Sequence, residues 1–345
     1  MIAAGTRVSV VVPCRNESRH IMQLLDALRT QTRVPDEVII VDHSSDATAD
    51  VVARYAGAHP DLAIRLLPVD KASIPASVNA GVAQAEGDVI VRLDGHAIPD
   101  VDYVERAVAA LGAGADIGVA GGVWLVAPGA DTRTAEAIAR AVSHPVGAGD
   151  AAYRISAGSP SRRDVDTVPF GCYRKALWSE LGGLNEQLLS NEDYEFNYRV
   201  RASGRRVVLD TAVRCTYFAR ATLGALATQY FRYGWWKVAM LRRYPASLRW
   251  RQAVPAAFVA TLIGLLMLSG FSLVALAALA GVLMLYAGLI VLASIDVCRK
   301  AGSWRTLTKL VAAFATIHLC WGAGALVNLA TCGRWPFGPD SVAVR

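Results

Sequence analysis

Between Thr211 and Ile295 the chain has no Asp or Glu at all. Through Asp210 there are 21 Lys and Arg against 27 Asp and Glu, and from Thr211 onward 14 against 2, so the net charge of +6 conceals two opposite halves. A nucleic-acid surface would explain the basic sign but not its interleaving with long apolar runs; a bilayer surface explains both, and nucleic acid is not expected as a partner. Paired cysteines are missing too. Cys14, Cys172, Cys215, Cys298, Cys320 and Cys332 are scattered with no Cys-x-x-Cys, which argues against a disulfide framework or a zinc ribbon and suits a reducing compartment. No Gly-x-Gly-x-x-Gly follows Val12 and no Gly-x-x-x-x-Gly-Lys-Ser/Thr occurs, which speaks against dinucleotide and P-loop nucleotide binding. The apolar run Val8–Val12 is too short for a signal peptide, so the first half is expected to stay in the cytoplasm.

What is present in that half is alternation of strand and helix signals. Val8–Val12, Glu37–Val41, Ala63–Leu67 and Val89–Leu93 read as strands; 17–31, a segment ending near Ala56, 74–85 and 101–111 read as helices. This predicts an α/β domain with a mostly parallel sheet covered on both faces. Ser45 or Asp46 is placed to cap the second helix. Residues 127–165, rich in Ala, Gly, Asp and Ser, read as a long loop with a short helix at 134–142, either a substrate loop or partly disordered. Thr167–Cys172 follows as a short strand, then helices over 174–181 and from Asn191 to Ala202.

Polar groups gather where these strands end, the edge at which open α/β sheets bind ligands. Val89-Ile90-Val91-Arg92-Leu93 leads into Asp94-Gly95-His96, a carboxylate and an imidazole two residues apart. That pair is half of a divalent-metal site, or else a polar strand end followed by a turn. Asn16, Glu17 and Asp42 reach the same edge. Asn191-Glu192-Asp193-Tyr194-Glu195 opens a helix; its acids either complement the helix dipole or supply a catalytic base. A sugar nucleotide held partly through a metal stays open.

The sequence resembles family 2 glycosyltransferases of GT-A fold, most closely the ExoA-like branch linked to succinoglycan-type exopolysaccharide assembly. Val-Ser-Val-Val-Val-Pro-Cys-Arg-Asn-Glu at 8–17, Asp-Glu-Val-Ile-Ile-Val-Asp at 36–42, Ser45-Asp46-Ala47-Thr48, Asn79-Ala80-Gly81, Ala85-Glu86-Gly87-Asp88, Leu93-Asp94-Gly95-His96 and Asn191-Glu192-Asp193 carry it, over about residues 8–235. The resemblance implies that Pro13, Glu17 and Asp42 line a nucleoside pocket. It implies that Asp94 and His96 stand where the family has Asp-x-Asp, binding Mn²⁺ or Mg²⁺ on the donor diphosphate. It also implies that Asp193, supported by Glu192, deprotonates the acceptor in an inverting displacement. His96 departs from a second carboxylate; imidazole suits Mn²⁺ better than Mg²⁺, or contacts phosphate or sugar instead. Gln229-Tyr230-Phe231-Arg232-Tyr233 departs from Gln-x-x-Arg-Trp in its last position. Gln229 and Arg232 can share a helix face, with Arg232 on a diphosphate or on lipid headgroups.

The membrane half supplies two apolar spans within Ala253–Ile295, turning near Gly270, and a third at 310–331 that contains His318 and Asn328, both expected to face other helices. Arg242, Arg243, Arg249 and Arg251, and later Arg299, Lys300, Arg305 and Lys309, are expected on the cytoplasmic side. Residues 222–252, with Tyr230, Trp235, Trp236 and Trp250, read as interfacial amphipathic helices. The expected organisation is therefore a cytoplasmic GT-A domain over 1–221, interfacial helices over 222–252, about three transmembrane helices over 253–333 and a tail over 334–345. Such a multi-pass plasma-membrane protein would move a sugar from a nucleotide-sugar, expected to be UDP-linked, to a polyprenyl-diphosphate-linked saccharide. Rival readings are a polyprenyl-phosphate sugar synthase and a non-catalytic nucleotide-binding assembly partner; a homo-oligomer is left open.

Overall fold

The computed structural model describes residues 2, 5–70, 73–156, 158 and 161–335, so most of the expected tail lies outside the described residues. In chain order the elements are β1 (Val8–Cys14), α1 (Ile21–Arg29), β2 (Glu37–Asp42), α2 (Thr48–Ala58), β3 (Ile64–Pro68), α3 (Ile74–Gln84), β4 (Val89–Arg92), β5 (Ile98–Pro99), α4 (Tyr103–Gly112) and β6 (Ile117–Ala127). Next come α5 (Arg133–Val142), α6 (Pro145–Ala148), α7 (Ala152–Ile155), β7 (Arg162–Asp164), β8 (Cys172–Arg174), α8 (Lys175–Leu181), α9 (Glu192–Ala202) and β9 (Arg206–Phe218). The rest is helical: α10 (Leu223–Arg243), a short 3₁₀ turn, α11 (Trp250–Ser269), α12 (Leu273–Ala301) and α13 (Leu307–Ala330). Two compact units result among the described residues, one from 2–125 with Ala152–Tyr217, the other from Val126–Ala151 with 218–335.

The first unit is built on one sheet of order β3-β2-β1-β4-β8-β6-β9-β5, with β7 beside β9. Every residue of β1, β2 and β4 is buried, as continuous apolar runs in a two-sided sheet must be. The pairs β1–β2, β1–β4 and β2–β3 are parallel, as expected. From β4 outward the pairs β4–β8, β6–β8, β5–β9 and β7–β9 are antiparallel, so the sheet is mixed, with a mostly parallel first half. In register, Cys14 lies opposite Asp42 and Val11 opposite Arg92, which brings the three strand ends to one edge.

Several expectations are corrected here. In the stretch 127–165 the helix expected at 134–142 is α5, starting at an N-cap, Thr132, whose Oγ1 accepts from the Ala135 N–H at 3.1 Å; the rest is not one long loop, because α6, α7 and β7 follow. In α5, Ala135, Ala137, Ile138, Ala139, Ala141 and Val142 are buried, and the helix packs on α13 in the second unit. The strand expected over 167–172 begins only at Cys172, because Phe170 takes φ = 50°, outside the extended region. The eleven-residue β6 and thirteen-residue β9 were not expected. Ala47, not Ser45 or Asp46, is the N-cap of α2, although Asp46 Oδ1 accepts from the Thr48 N–H at 3.0 Å.

In the second unit α11, α12 and α13 have 20, 29 and 24 residues and are long and apolar enough to cross a membrane. At about 1.5 Å per residue each reaches the roughly 30 Å hydrocarbon thickness, α11 because it begins at Trp250 rather than Ala253. Leu266, Met267, Phe271, Leu273, Met284 and Leu285 are exposed, the surface that lipid would cover. The polar residues of α13 face neighbours as expected: His318 donates to Val146 O at 2.7 Å and accepts from Tyr286 at 3.1 Å, and Asn328 donates to Trp235 O at 3.0 Å. Over 222–252, α10 is one helix packed along α13 with Tyr230, Trp235 and Trp236 buried; only Trp250 of these aromatics is strongly exposed. Backbones meet there. A Cβ at Gly234 would lie 1.9 Å from Trp321 O, and one at Gly324 would lie 2.0 Å from Phe231 O.

Candidate active site

The turn after β1 is laced to the turn after β2. Asn16 turns the chain at φ = 59°; its N–H donates to Ser44 Oγ at 2.8 Å and its Oδ1 accepts from the Ser45 N–H at 2.9 Å. Ser44 Oγ donates to Asp42 Oδ1 at 2.6 Å, and the Glu17 N–H donates to Thr48 Oγ1 at 2.9 Å. Against its desolvation cost, hydrogen bonds from Ser18 and Thr48 pull the Asp46 carboxyl down to about 2. Asp42 and Glu17 are thus fixed, buried carboxylates at the edge of the sheet, with Pro13 one residue before Cys14 and opposite Val41.

The turn after β4 reaches the same place. A Cβ on Gly95 would come within 2.9 Å of Glu17 Cγ and 3.0 Å of Cys14 Sγ, so only glycine lets this turn close on the end of β1. His96 Nδ1 meets Glu17 Oε1 at 2.8 Å.

At the centre is Arg92, a charged residue at the end of an otherwise apolar strand and 4 % exposed in its side chain. Its guanidinium meets three carboxylates: Nη1 donates to Asp193 Oδ1 at 2.5 Å, and Nη2 donates to Glu192 Oε1 at 3.2 Å and to Asp94 Oδ1 at 3.3 Å. Glu192 and Asp193 arrive on the first turn of α9, after Asn191 at φ = 64°. The Asn191 side chain does not cap that helix, and two of the three first-turn acids go to Arg92 rather than merely complementing the dipole. The third, Glu195, forms a bidentate pair with Arg199 at 2.8 Å, which also holds Gly183 O at 2.6 Å. Asn79 secures the same approach, bonding both the N–H and the O of Leu184.

One cation among three carboxylates leaves a formal charge of −2 when all are ionised. Withdrawal from water drives the Asp193 carboxyl up, Arg92 pulls it down, and Glu192 and Asp94 push it up again, to about 7. Burial disfavours the charge on Arg92, but Asp193, Asp94 and Glu192 together hold its pKa raised. Asp193 is also the most accessible of the three, with 28 % of its side chain exposed against 13 % for Asp94 and 11 % for Glu192.

Among the described residues no three His, Cys, Asp or Glu side chains gather so as to hold a metal ion alone. Asp94 and His96 provide two donors, which fits an ion completed by substrate phosphate oxygens, and a divalent cation would balance the cluster's formal charge. Gln229 and Arg232 stand on α10, in the second unit; Gln229 Nε2 donates to Tyr233 OH at 3.1 Å. The residue that sequence reasoning passed over is Arg92. Its signal was present, since a charge within a buried apolar strand has to be paired.

The family described as Glycosyl transferase family 2 matches residues 9–165. The chain is 32% identical over 270 residues to the succinoglycan biosynthesis protein ExoA of Rhizobium meliloti, covering 76% of this chain and 78% of that protein. It is 28% identical over 111 residues to the dolichyl-phosphate beta-glucosyltransferase ALG5A of Trichomonas vaginalis, covering 30% of this chain and 34% of that one. Among solved structures, the mannosyltransferase PcManGT from Pyrobaculum calidifontis, in complex with GDP-Man and Mn2+, shares the fold at a TM-score of 0.66 and 22% identity, over 94% of this chain and 87% of that one.

Proposed function

The chain belongs to glycosyl transferase family 2, and from that premise we propose that it transfers one sugar, with inversion, from a UDP-linked donor to a polyprenyl-diphosphate-linked saccharide at the cytoplasmic face of the plasma membrane. The observation that carries this reading is the meeting of Asp94, Glu192 and Asp193 on Arg92, beside the web that fixes Asp42 and Glu17.

In this reading Asp42 accepts a hydrogen bond from the base of the donor, and Pro13 lies against the nucleoside. Asp94 and His96 hold the divalent cation, Mn²⁺ or Mg²⁺, which when bound supplies positive charge to the leaving diphosphate. Asp193 takes the acceptor hydroxyl's proton. Its raised pKa matches the task, because a base near neutrality is ionised in a substantial share of molecules at neutral pH and accepts a proton readily. Arg92 holds it in place, and Glu192 shares that guanidinium. The hydroxyl oxygen attacks the anomeric carbon from the face opposite the leaving group, which inverts that centre. The three apolar helices tether this unit to the bilayer in which the acceptor's lipid is dissolved. Arg232, with Gln229 on the same helix, is suited to bind a diphosphate.

A second reading, transfer to polyprenyl phosphate itself, draws on the partial similarity to a dolichyl-phosphate beta-glucosyltransferase. Purified full-length protein would be given radiolabelled UDP-sugars with either lipid. Label in the diphosphate-linked saccharide, in inverted configuration by NMR, supports the first reading; label in the monophosphate alone selects the second. Retained configuration would refute the displacement.

A further inference from the structure

Glu17 follows the strand that lines the expected nucleoside pocket, yet its carboxylate is turned toward an imidazole. Oε1 lies 2.8 Å from His96 Nδ1, and Oε2 lies 3.5 Å from His20 Nδ1. Three features hold that carboxylate. Its backbone N–H is fixed on Thr48 Oγ1, its side chain is 9 % exposed, and the bare Cα of Gly95 packs against its Cβ and Cγ. With Nδ1 donating to Glu17, the lone pair of the neutral ring is on Nε2, and the ring orientation is set. A carboxylate behind one ring nitrogen of a histidine is the arrangement that makes the other nitrogen a better metal ligand.

We propose that Glu17 is a positioning residue for the metal rather than a nucleoside contact. It orients His96 so that Nε2 joins Asp94 in holding the cation, and so makes the site prefer Mn²⁺ to Mg²⁺. The inference rests on the assignment of Asp94 and His96 to a metal. The preference follows from ligand chemistry: imidazole suits Mn²⁺, whereas Mg²⁺ takes oxygen donors and dehydrates reluctantly. Asp94, already drawn on by the buried Arg92, supplies one hard oxygen donor, and His96 supplies the donor that discriminates.

The test uses full-length protein in detergent, titrated with Mn²⁺ alone and with Mn²⁺ plus UDP, and read by electron paramagnetic resonance. Pulsed spectra should show ¹⁴N coupling from a directly bound imidazole in the wild type and none in His96→Ala. Glu17→Gln should weaken Mn²⁺ binding by about 10–100-fold, the usual effect of removing a carboxylate behind a ligating histidine, while Mg²⁺ binding measured by competition changes much less. His96→Asp should reverse the preference toward Mg²⁺, which keeps the question answerable should Glu17→Gln melt early. Binding of UDP in EDTA should be unchanged in Glu17→Gln; its loss there would return Glu17 to the nucleoside pocket. Mn²⁺ binding undiminished in Asp94→Asn would overturn the metal assignment beneath. Weakening in Asp94→Asn and His96→Ala, with none in Glu17→Gln, would overturn only the role given to Glu17.

Discussion

Replacing Arg92 with Met keeps an unbranched stem and removes the one cation among Asp94, Glu192 and Asp193. Three charge-assisted hydrogen bonds of 2.5–3.3 Å disappear, and the carboxylates left behind repel one another in a largely buried site. Removing one partner of a buried ion pair costs about 3–5 kcal/mol, which for a unit of this size lowers Tm by roughly 6–20 °C. The loss depends on pH in a definite direction. A buried carboxyl with a raised pKa binds protons more tightly folded than unfolded, so its destabilising effect is absent below the ordinary carboxyl range and grows as pH rises through the folded value. In the wild type Asp193 already behaves this way, between the ordinary Asp range and about 7. Without Arg92 that penalty deepens, so the melting temperatures of variant and wild type should diverge toward alkaline pH and converge as the carboxyls protonate. Arg92→Lys keeps the charge but not the fork, and should fall between them. Tryptophan fluorescence melts of the full chain across pH 5–9 give the measurement. An Arg92→Met protein melting with the wild type at the alkaline end would refute the idea that this guanidinium holds the cluster together.

The remaining predictions concern the ion and the membrane unit. EDTA should abolish sugar transfer, and Mn²⁺ should restore it; undiminished turnover in excess chelator would remove the cation from the reaction. Gly234→Val places a branched side chain where a single Cβ already meets Trp321 O at 1.9 Å. Overpacking of this kind costs about 1–3 kcal/mol or more, visible as a lower detergent melting temperature, whereas Gly224→Val, with open space at its Cβ, should show little change.

The parts of the fold legible in the sequence are those written in one strong pattern. Val8–Val12, Glu37–Val41 and Val89–Leu93 are apolar runs broken only by Ser9, Glu37 and Arg92, and they are buried parallel strands. The acid-poor second half became three long apolar helices. β6 escaped notice because Gly118, Gly121 and Gly122 interrupt its apolar run, and β9 because Arg206, Asp210, Thr211 and Arg214 punctuate it. Helix α5 was legible at 134–142, since alanine is the strongest helix former and Thr132 a good cap, whereas the short elements after it carry no period. At the site, strand ends marked Asp42 and Asp94 and a helix start marked Asp193; the family resemblance supplied their separate roles, since nothing local ties residues so far apart in sequence. Arg92, which does tie two of them, lay inside a segment already read as strand. The turn of Glu17 toward His96 depends on Gly95, and no sequence period encodes it.

The account stands on Asp193 as the base, and single-turnover transfer measured against pH in wild type and Asp193→Asn tests it most directly. Asn keeps an oxygen to accept from Arg92 but cannot take the acceptor's proton. The wild-type rate should rise with pH through a limb near 7 as Asp193 ionises, and Asp193→Asn should be slower by about 10²–10⁴-fold, without that limb and with donor binding retained. Near-normal transfer by Asp193→Asn, with the limb still in place, would contradict it.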